Sequence, residues 1–571
     1  MDPLPSIADR QDALARRFTP WPQRTLDAAL DAAAAEFGDR PYVINDARQW
    51  SYRELHAWSQ RIAAGLVAAG VRPGDHVALL LANQPEFVAL KFAIARAGAV
   101  AVPINFLNRR DELGYVLRQS DAVLLVTMDR FRGLDYLGML DELAPGWETA
   151  GGGDHLPRLK RVVVLPTGAA PVRERANPFE RFVAGAPPWQ PIERHPGPAS
   201  NSDIIYTSGT TGSPKGVMLT HGMMLRTAFG STYGRAFEDG HRVVFSLPMY
   251  HVYGYVEGML AVLPVGGAIV PQLKFDAADT LRAIGRHRAT DVLLIPTMTL
   301  ALLDELKKPG ANFDLSSLHA VISSGGRAPA HIWQEIFNRL RPKELTSGYG
   351  MTEVTASSTV TRPDDPVERF LTTNGRLREV GPAGDPDFGG KLVVYRVVDP
   401  ETGQDVAAGE TGELLAKGPG VTQGYYNKPE ATAEAFTADG WFRSGDLGRI
   451  DAEGYLTLMG RRKESYRCGG EQVMPTEIED LLVTHPDIVQ AHVVPVPDAR
   501  MGEVGVAWVV LREQPAASAE ALIGFCAQRL ARFKVPRHVL AIRAEDIPAT
   551  PSGRARKFLL VQKAMEVLNL S

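Results

Sequence analysis

Residues 203–216 have the sequence Asp203-Ile-Ile-Tyr-Thr-Ser-Gly-Thr-Thr-Gly-Ser-Pro-Lys-Gly216. The apolar start predicts a strand, and the glycines and hydroxyl residues that follow predict a loop. The glycines allow backbone N–H groups to face one concavity, the hydroxyls add donors, and Lys215 adds a positive charge. A flexible surface loop would not need this density of donors, so the stretch predicts a binding loop for a triphosphate.

The spacing of this loop differs from that of the Walker A phosphate loop. In a Walker A loop, the lysine is followed by a serine or threonine that holds magnesium. Here Gly216 follows Lys215. The stretch therefore predicts a phosphate loop of another kind.

Outward from the loop, apolar strands alternate with amphipathic helices. Ser51 and Glu54 predict a capping box that begins a helix, and residues 76–81 predict a buried strand. Alternation of this kind favours an α/β fold with a mainly parallel sheet. Further strands are predicted at 100–103, 122–126, 161–165, 203–206, 242–247, 291–295 and 319–323, with helices at 277–288 and 329–340 among those between them.

Changes in composition along the chain predict its domains. Residues 145–200 are rich in glycine, proline and charge, which predicts a surface excursion. The chain becomes strand- and turn-rich beyond about residue 399, and an α+β pattern begins after Lys463, with a helix predicted at 518–532. We therefore predict a large N-terminal domain, residues 1–461, of layered α/β sheets plus a β-rich subdomain. A small α+β C-terminal domain would comprise residues 462–571.

Composition excludes several classes of protein. The 571 residues are 45% hydrophobic and 22% charged, as in ordinary globular proteins, and a net charge of −4 gives no footprint for sequence-independent nucleic-acid binding. Two cysteines are too few for a disulfide framework or a cysteine zinc site. No secretory signal and no transmembrane segment are visible, which favours a cytoplasmic protein.

Four further motifs follow the phosphate loop in a fixed order. They are Gly348-Tyr-Gly-Met-Thr-Glu-Val354, Trp441-Phe-Arg-Ser-Gly-Asp-Leu-Gly448, Gly460-Arg-Arg-Lys-Glu464 and Pro548-Ala-Thr-Pro-Ser-Gly-Arg554. With residues 206–216 they resemble the signatures of the adenylate-forming superfamily, which includes acyl- and aryl-CoA synthetases, peptide-synthetase adenylation domains and firefly luciferase. The resemblance extends from about residue 20 to residue 560. It implies an ATP-dependent acid–CoA ligase that uses ATP, Mg²⁺ and coenzyme A.

The resemblance also implies roles for individual residues. Tyr349 would stack on adenine, Thr352 would bond the α-phosphate, Glu353 would bind magnesium, and Asp446 would accept the ribose hydroxyls. The implied ATP and AMP ligands are Thr207, Ser208, Gly209, Thr210, Thr211, Gly212, Lys215, Gly325, Gly326, Ser347, Gly348, Tyr349, Thr352, Asp446, Arg461 and Arg554. The implied catalytic residues are Lys215, His251, Thr352, Glu353 and Arg554.

Two further sets concern the acid and the thiol. The segment 248–254 resembles the wall of the acid pocket, although a lone histidine such as His251 is more often structural. Lys463 resembles the hinge about which the mobile C-terminal domain rotates, and Gly469 and Gly470 would let pantetheine pass close to the backbone. The acyl-pocket candidates are Tyr250, His251, Val252, Tyr253, Gly348 and Met351, whose character suggests a hydrophobic acid, either fatty, cyclic or aromatic.

The last motif departs from the superfamily pattern. The residue after its glycine is ordinarily a lysine that bridges the acid carboxylate and the α-phosphate, and here it is Arg554. Arginine keeps the charge but is planar and forked, so the exchange is not neutral at a geometric site. Lys557, three residues later, is the competing candidate for the same role.

Three other functions remain open at this stage. An acyl-AMP ligase would load a separate carrier protein instead of free CoA, and a luciferase-like oxygenase would need oxygen. A nucleotide- or acyl-binding protein that has lost catalysis through Arg554 would bind ATP without releasing pyrophosphate. The expected partners are a small carboxylic acid, ATP and CoA, with no nucleic acid; a homodimer is among the oligomeric states that the sequence leaves open.

Overall fold

The computed structural model describes residues 4–168, 173, 176–193, 195–207, 213–324, 330–512, 517–550 and 555–570. Its helices are α1 Ile7–Phe18, α2 Leu26–Phe37, α3 Tyr52–Ala68, α4 Pro85–Arg96, α5 Arg110–Gln119, α6 Tyr136–Leu143, α7 Trp147–Ala150, α8 Phe179–Ala184, α9 His221–Gly234, α10 Ala277–His287, α11 Pro296–Lys307, α12 Ala330–Arg339, α13 Val367–Thr372, α14 Pro429–Ala435, α15 Pro475–Leu482, α16 Ala519–Ala527 and α17 Lys557–Val567.

The strands follow the same chain order. They are β1 Pro41–Ile44, β2 Gln49–Ser51, β3 His76–Leu80, β4 Val100–Pro103, β5 Ala122–Met128, β6 Arg130–Phe131, β7 Leu134–Asp135, β8 Arg161–Leu165, β9 Asn177–Pro178, β10 Asn201–Thr207, β11 Lys215–Thr220, β12 Arg242–Phe245, β13 Ala268–Pro271, β14 Asp291–Leu294, β15 Ala320–Ser323, β16 Glu344–Thr346, β17 Gly348–Met351, β18 Ala356–Val360, β19 Arg376–Leu377, β20 Val394–Val398, β21 Gly412–Lys417, β22 Phe442–Ile450, β23 Leu456–Arg461, β24 Tyr466–Cys468, β25 Glu471–Val473, β26 Ile488–Asp498, β27 Gly502–Leu511 and β28 His538–Ala541.

Two seven-stranded sheets form the centre of the molecule. One has the order β11-β10-β4-β3-β5-β8-β9 and the other β16-β15-β14-β12-β13-β1-β2. Each is parallel except for one antiparallel edge pair, β10–β11 in the first and β1–β2 in the second. The apolar strands are buried, as parallel strands covered by helices must be. The predicted α/β fold class is therefore confirmed.

A buried ion pair joins a helix to the first sheet. Lys91 on α4 contacts Asp203 on β10, and the two side chains are 1% and 0% exposed. Ser202 donates a second hydrogen bond to the Asp203 carboxylate at 2.8 Å, and the Lys91 ammonium lies 4.7 Å from the centre of the Tyr255 ring. The pair thus fixes α4 against the strand that leads into the phosphate loop.

Smaller sheets follow in the second half of the chain. A three-stranded sheet, β17-β18-β19, precedes the antiparallel sheet β20-β21-β22-β23. From Tyr466 onward the chain builds a sheet of β25-β24-β27-β26, with β28 beside β27, and a separate hydrophobic core. In that core the Trp508 indole donates to the backbone carbonyl of Leu560 at 3.1 Å. The boundary between residues 461 and 462 stays a prediction.

The structure differs from the sequence expectations in three places. Trp147, Leu156 and Leu159 are buried, so part of the segment 145–200 packs into the core and is not a surface excursion. The helix predicted at 518–532 ends at Ala527, and a 3₁₀ turn follows at 532–534. Residues Tyr253–Leu260 form a π-helix that no sequence pattern indicated. Within the described ranges, no helix is both long and apolar enough to cross a bilayer.

Candidate active site

The phosphate loop connects two antiparallel strands, β10 and β11. Thr207 at the end of β10 is paired with Lys215 at the start of β11. Gly216 faces β10 so closely that a Cβ atom there would lie 2.6 Å from Ile204 Cγ2, which excludes larger residues. The predicted ligands Ser208, Gly209, Thr210, Thr211 and Gly212 lie outside the described residues. The strand pair therefore defines the base of the loop.

The second nucleotide motif lies on β17, where two glycines are required by packing. A Cβ atom on Gly348 would lie 2.4 Å from the Thr359 carbonyl oxygen, and one on Gly350 would lie 1.8 Å from that of Ala356. Ser347 immediately precedes this strand, and its N–H donates to Thr361 Oγ1 at 2.8 Å. Thr352 is buried at the start of a one-turn 3₁₀ helix. The glycines keep β17 and β18 in close contact.

Ser324 connects this strand to the end of β15. Its hydroxyl accepts from the Gly348 N–H and donates to the Gly348 carbonyl, each at 2.8 Å. Ser324 thereby holds Gly348, one of the acyl-pocket candidates, at the end of β15. Gly325 and Gly326, which follow it, lie outside the described residues.

Glu353 is held by a tyrosine that the sequence analysis missed. The Tyr425 hydroxyl donates to Glu353 Oε1 at 3.1 Å, and the Thr422 N–H donates to the Glu353 backbone carbonyl at 2.8 Å. On its other side, the Tyr425 ring lies 4.7 Å from the Lys215 ammonium. Tyr425 therefore joins the predicted metal ligand to the predicted phosphate ligand. Burial raises the pKa of Glu353, so a nearby cation would favour its ionised form.

Asp446 occupies the centre of a second cluster. Its Oδ2 accepts from the Tyr349 hydroxyl at 2.6 Å, and its Oδ1 lies 3.0 Å from Arg461 Nε. The side chains of Asp446 and Arg461 meet because β22 and β23 pair these two residues directly. Ser444 Oγ, another residue that the sequence analysis missed, accepts from the Asp446 N–H at 3.0 Å. Three predicted nucleotide ligands from different motifs are thus in contact.

The acid-pocket segment leads from β12 into the π-helix. His251 Nδ1 accepts from the Tyr253 N–H at 3.2 Å, which fixes the ring orientation, and burial lowers the pKa of His251 to about 4. The Tyr253 hydroxyl donates to the Leu294 carbonyl at the end of β14, at 3.0 Å. A Cβ atom on Gly254 would lie 2.6 Å from the Pro248 carbonyl oxygen, so this tight turn needs glycine.

Other pocket candidates are also buried or half-buried. Val252 is 2% exposed, Met351 is half-buried, and the Tyr250 ring packs edge-to-face on Phe106 with centroids 5.1 Å apart. The Tyr250 hydroxyl is buried and has no hydrogen-bond partner among the described residues. A buried hydroxyl of this kind is costly unless a ligand or water satisfies it. It is therefore a candidate contact for a polar group on a bound molecule.

The hinge and thiol motifs lie next to each other along the chain. Lys463 lies between β23 and β24, after Arg462, whose guanidinium binds Glu413 at 2.9 Å. Gly469 and Gly470 form the turn of the β24–β25 hairpin with φ of +62° and +90°. The positive φ values alone are enough to favour glycine in this turn. In addition, nothing lies within 4 Å of a Cβ built on Gly470. The backbone there is open to an approaching chain.

The structure describes one of the two candidates for the final catalytic cation. Arg554 lies outside the described residues. The Lys557 ammonium lies 2.6 Å from Glu479 Oε1 and 3.5 Å from Glu464 Oε2. Lys557 is thus engaged in a half-buried ion pair within its own domain.

Comparison with protein families identifies the chain. The model of the AMP-binding enzyme matches residues 30–426, and the model of the AMP-binding enzyme C-terminal domain matches residues 477–554. The chain belongs to the AMP-binding enzyme family. It lies in the acyl-CoA ligase branch of the adenylate-forming superfamily, as the sequence motifs predicted, and is an AMP-forming acid–CoA ligase.

Curated relatives of this AMP-binding enzyme match it over nearly its whole length. The mitochondrial medium-chain acyl-CoA ligase ACSF2 of Danio rerio is 32% identical over 96% of this chain and 90% of its own. A methyl-dioxo-octahydroindenyl-propanoyl:CoA ligase of Mycobacterium tuberculosis is 33% identical over 94% and 98%. Among solved structures, o-succinylbenzoate coenzyme A synthetase from Bacillus subtilis, in complex with ATP and magnesium, superposes with a TM-score of 0.75 at 27% identity, covering 93% of this chain and 98% of its own.

The environment of His251 generates a prediction about pH. Because burial holds its pKa near 4, His251 stays neutral throughout the range in which the enzyme can be assayed. We expect His251→Gln to change the rate of acid-dependent ATP–pyrophosphate exchange by the same factor at about pH 6 and about pH 8. A factor that varies with an apparent pKa close to that of a free histidine would contradict this assignment.

Proposed function

We propose that this AMP-binding enzyme activates a hydrophobic carboxylic acid as acyl-AMP, releases pyrophosphate and then transfers the acyl group to CoA. The observation that carries the proposal is the pair of contacts made by Asp446, which joins Tyr349 to Arg461 in one cluster. These residues come from three motifs that the superfamily uses for adenosine. Their contact supports a nucleotide site at the junction of β17, β22 and β23.

The nucleotide would be held by groups of matching chemistry. Asp446 would accept the two ribose hydroxyls, for which a carboxylate has enough lone pairs, and the Tyr349 ring would stack on adenine. Lys215 would pair with the phosphates, and Thr352 would donate to the α-phosphate. Tyr425 contacts both Glu353 and Lys215, so it would hold the predicted metal ligand at a fixed position relative to the base of the phosphate loop.

Glu353 is the residue that fits a magnesium ion. Its carboxyl is half-buried, and burial raises its pKa even though Tyr425 donates a hydrogen bond to Oε1, so a cation beside it would stabilise the ionised form. A hard cation prefers such an oxygen together with substrate phosphate. When bound there, magnesium would neutralise charge on the pyrophosphate that leaves.

The adenylation step would depend mainly on positioning and charge neutralisation. The acid carboxylate would attack the α-phosphorus in line, forming a C–O–P anhydride while the bond from the α-phosphorus to the bridging oxygen breaks. Lys215, Thr352 and Arg554 would stabilise the charge that develops on the phosphate oxygens. Neutral His251 would line the acid pocket near the carboxylate without adding charge.

The second step would use the other face of the C-terminal domain. Rotation about Lys463 would remove Arg554 and bring the Gly469–Gly470 turn to the acyl-AMP, so that the CoA thiol attacks the acyl carbon and AMP leaves. Open space around Gly470 supports close passage of the pantetheine arm. One site would thus serve both reactions in sequence.

The acid is proposed to be hydrophobic, of the fatty, cyclic or aromatic kind. Tyr250, Val252 and Tyr253 are buried pocket candidates with aromatic or aliphatic side chains. The relatives' names include medium-chain acids and a bicyclic propanoic acid. We further propose that the enzyme acts in the cytoplasm and requires Mg²⁺.

A two-readout assay with a panel of acids tests this function. Pyrophosphate release and CoA thioester should both appear with hydrophobic acids of graded chain length and ring content, and Glu353→Gln should slow release by about 100-fold or more. Succinate and malonate are the polar controls. Pyrophosphate release without any thioester from free CoA would overturn the choice of acceptor, and release only with the polar acids would overturn the substrate class.

The last motif generates a separate prediction. Arg554→Ala should abolish acid-dependent ATP–pyrophosphate exchange but spare thioester formation from pre-made acyl-AMP, and Arg554→Lys should retain exchange. Lys557→Ala is the matched control, because its ion pair with Glu479 gives it a structural role: it should lower the melting temperature and leave exchange within about threefold of the wild type. If Lys557→Ala alone abolishes exchange, the catalytic charge belongs to Lys557.

A further inference from the structure

Two histidines and a glutamate meet at the edge of the second sheet that is opposite the active site. Glu238 lies in the connection from α9 to β12, His241 immediately precedes β12, and His319 immediately precedes β15. We call these three residues the Glu238 cluster. They lie at the amino ends of parallel strands, whereas the acid-pocket segment 248–254 follows the carboxyl end of β12, and Ser324 and Ser347 follow those of β15 and β16. The adenylation and thioester steps do not use this cluster.

The three ligand atoms are close enough to share one ion. Glu238 Oε2 lies 2.7 Å from His241 Nδ1 and 3.3 Å from His319 Nε2, and all three atoms lie within 4.8 Å of one another. Tetrahedral zinc, with bonds of about 2.0–2.2 Å, places its ligand atoms about 3.3–3.5 Å apart. The separation from Glu238 Oε2 to His319 Nε2 already matches this value, and that to His241 Nδ1 needs an increase of about 0.6 Å. The third separation, between the two histidine nitrogens, is at most 4.8 Å, so the side chains would draw together around the ion.

A buried carboxylate orients the central histidine. His241 Nε2 lies 3.0 Å from Asp291 Oδ2, and Arg235 holds the same oxygen in a buried ion pair. With Nε2 committed to Asp291, Nδ1 is left to Glu238 Oε2 at 2.7 Å and Thr290 Oγ1 at 3.3 Å. In zinc sites, the histidine nitrogen that does not bind the metal usually donates its N–H to a carboxylate. This hydrogen bond fixes the ring orientation and raises the basicity of the nitrogen that binds the metal.

The cluster is also accessible from outside. The side chains of Glu238 and His319 are 16% and 14% exposed, whereas that of His241 is 1% exposed. An ion could therefore enter between the two half-buried ligands and reach the buried one. A fourth coordination position would remain for water.

We propose that Glu238, His241 and His319 bind one Zn²⁺ ion that stabilises the fold and takes no part in the chemistry. Two histidine nitrogens and one carboxylate oxygen form a donor set that zinc uses when water takes the fourth position. The ion would tie the connection after α9 to the amino ends of β12 and β15. The competing arrangement is a hydrogen-bonded ion pair in which a proton on His241 bridges to Glu238.

Zinc binding to the full-length, untagged enzyme tests the proposal. The protein is stripped with a chelator, dialysed and titrated with Zn²⁺, and the bound metal is counted by elemental analysis while melting temperature is recorded. His319→Gln and Glu238→Gln remove half-buried ligands, and His155→Gln removes an exposed histidine outside the cluster as the matched control. Co²⁺ replaces Zn²⁺ in a parallel spectrum of the wild type, which needs no variant to fold.

We expect one equivalent of zinc in the wild type and in His155→Gln, with a rise in melting temperature in both. In His319→Gln and Glu238→Gln the affinity should fall by at least about tenfold and the rise should disappear. The Co²⁺ spectrum should show the visible bands of tetrahedral coordination. Stoichiometric binding that survives in both ligand variants, or a wild type that binds no zinc and whose melting temperature does not respond, would overturn the proposal in favour of the ion pair.

Discussion

The contact between Asp446 and Arg461 joins two of the proposed nucleotide residues at the end of the strand that leads to the proposed hinge. Adjacent strands β22 and β23 pair the two residues directly, and Tyr349 donates to the same carboxylate from a different sheet. Because Asp446 is 4% exposed, removing Arg461 would leave a buried carboxylate without its cation, at a cost of about 3–5 kcal/mol. The residue that would bind ribose therefore also aligns β17 with the strand that leads to the hinge.

This arrangement fits the proposed separation of the two half-reactions. Arg461 ends β23, and Lys463 follows two residues later, so the proposed adenosine contact and the proposed rotation point share a short segment. Tyr425 plays a comparable part at the phosphate end, where it contacts Glu353 and Lys215. These contacts on the large domain would hold the nucleotide in place. Meanwhile the C-terminal domain would rotate and present first its Arg554 face and then its Gly469–Gly470 face to the site.

Much of the fold could be predicted from local patterns, but contacts between distant residues could not. The capping box of Ser51 and Glu54 forms as expected, because it depends on residues three apart. Motif order supplied the candidate nucleotide residues, whose binding role stays a prediction, whereas the hydrogen bond of Tyr425 joins it to Glu353, 72 residues earlier in the chain, and no motif indicated it. Neither the π-helix at Tyr253–Leu260 nor the burial of Trp147 has a signal in the local composition.

The central claim, that Asp446 recognises the ribose, is tested most directly by comparing ATP with 2′,3′-dideoxy-ATP in ATP–pyrophosphate exchange. Hydrogen bonds to a charged group contribute about 1.5–3 kcal/mol, so the missing hydroxyls should raise KM by about tenfold or more in the wild type. In Asp446→Ala, whose fold is checked by its melting temperature, the dideoxy penalty should fall to about twofold or less, because the acceptor is gone. An undiminished penalty in Asp446→Ala would contradict the account.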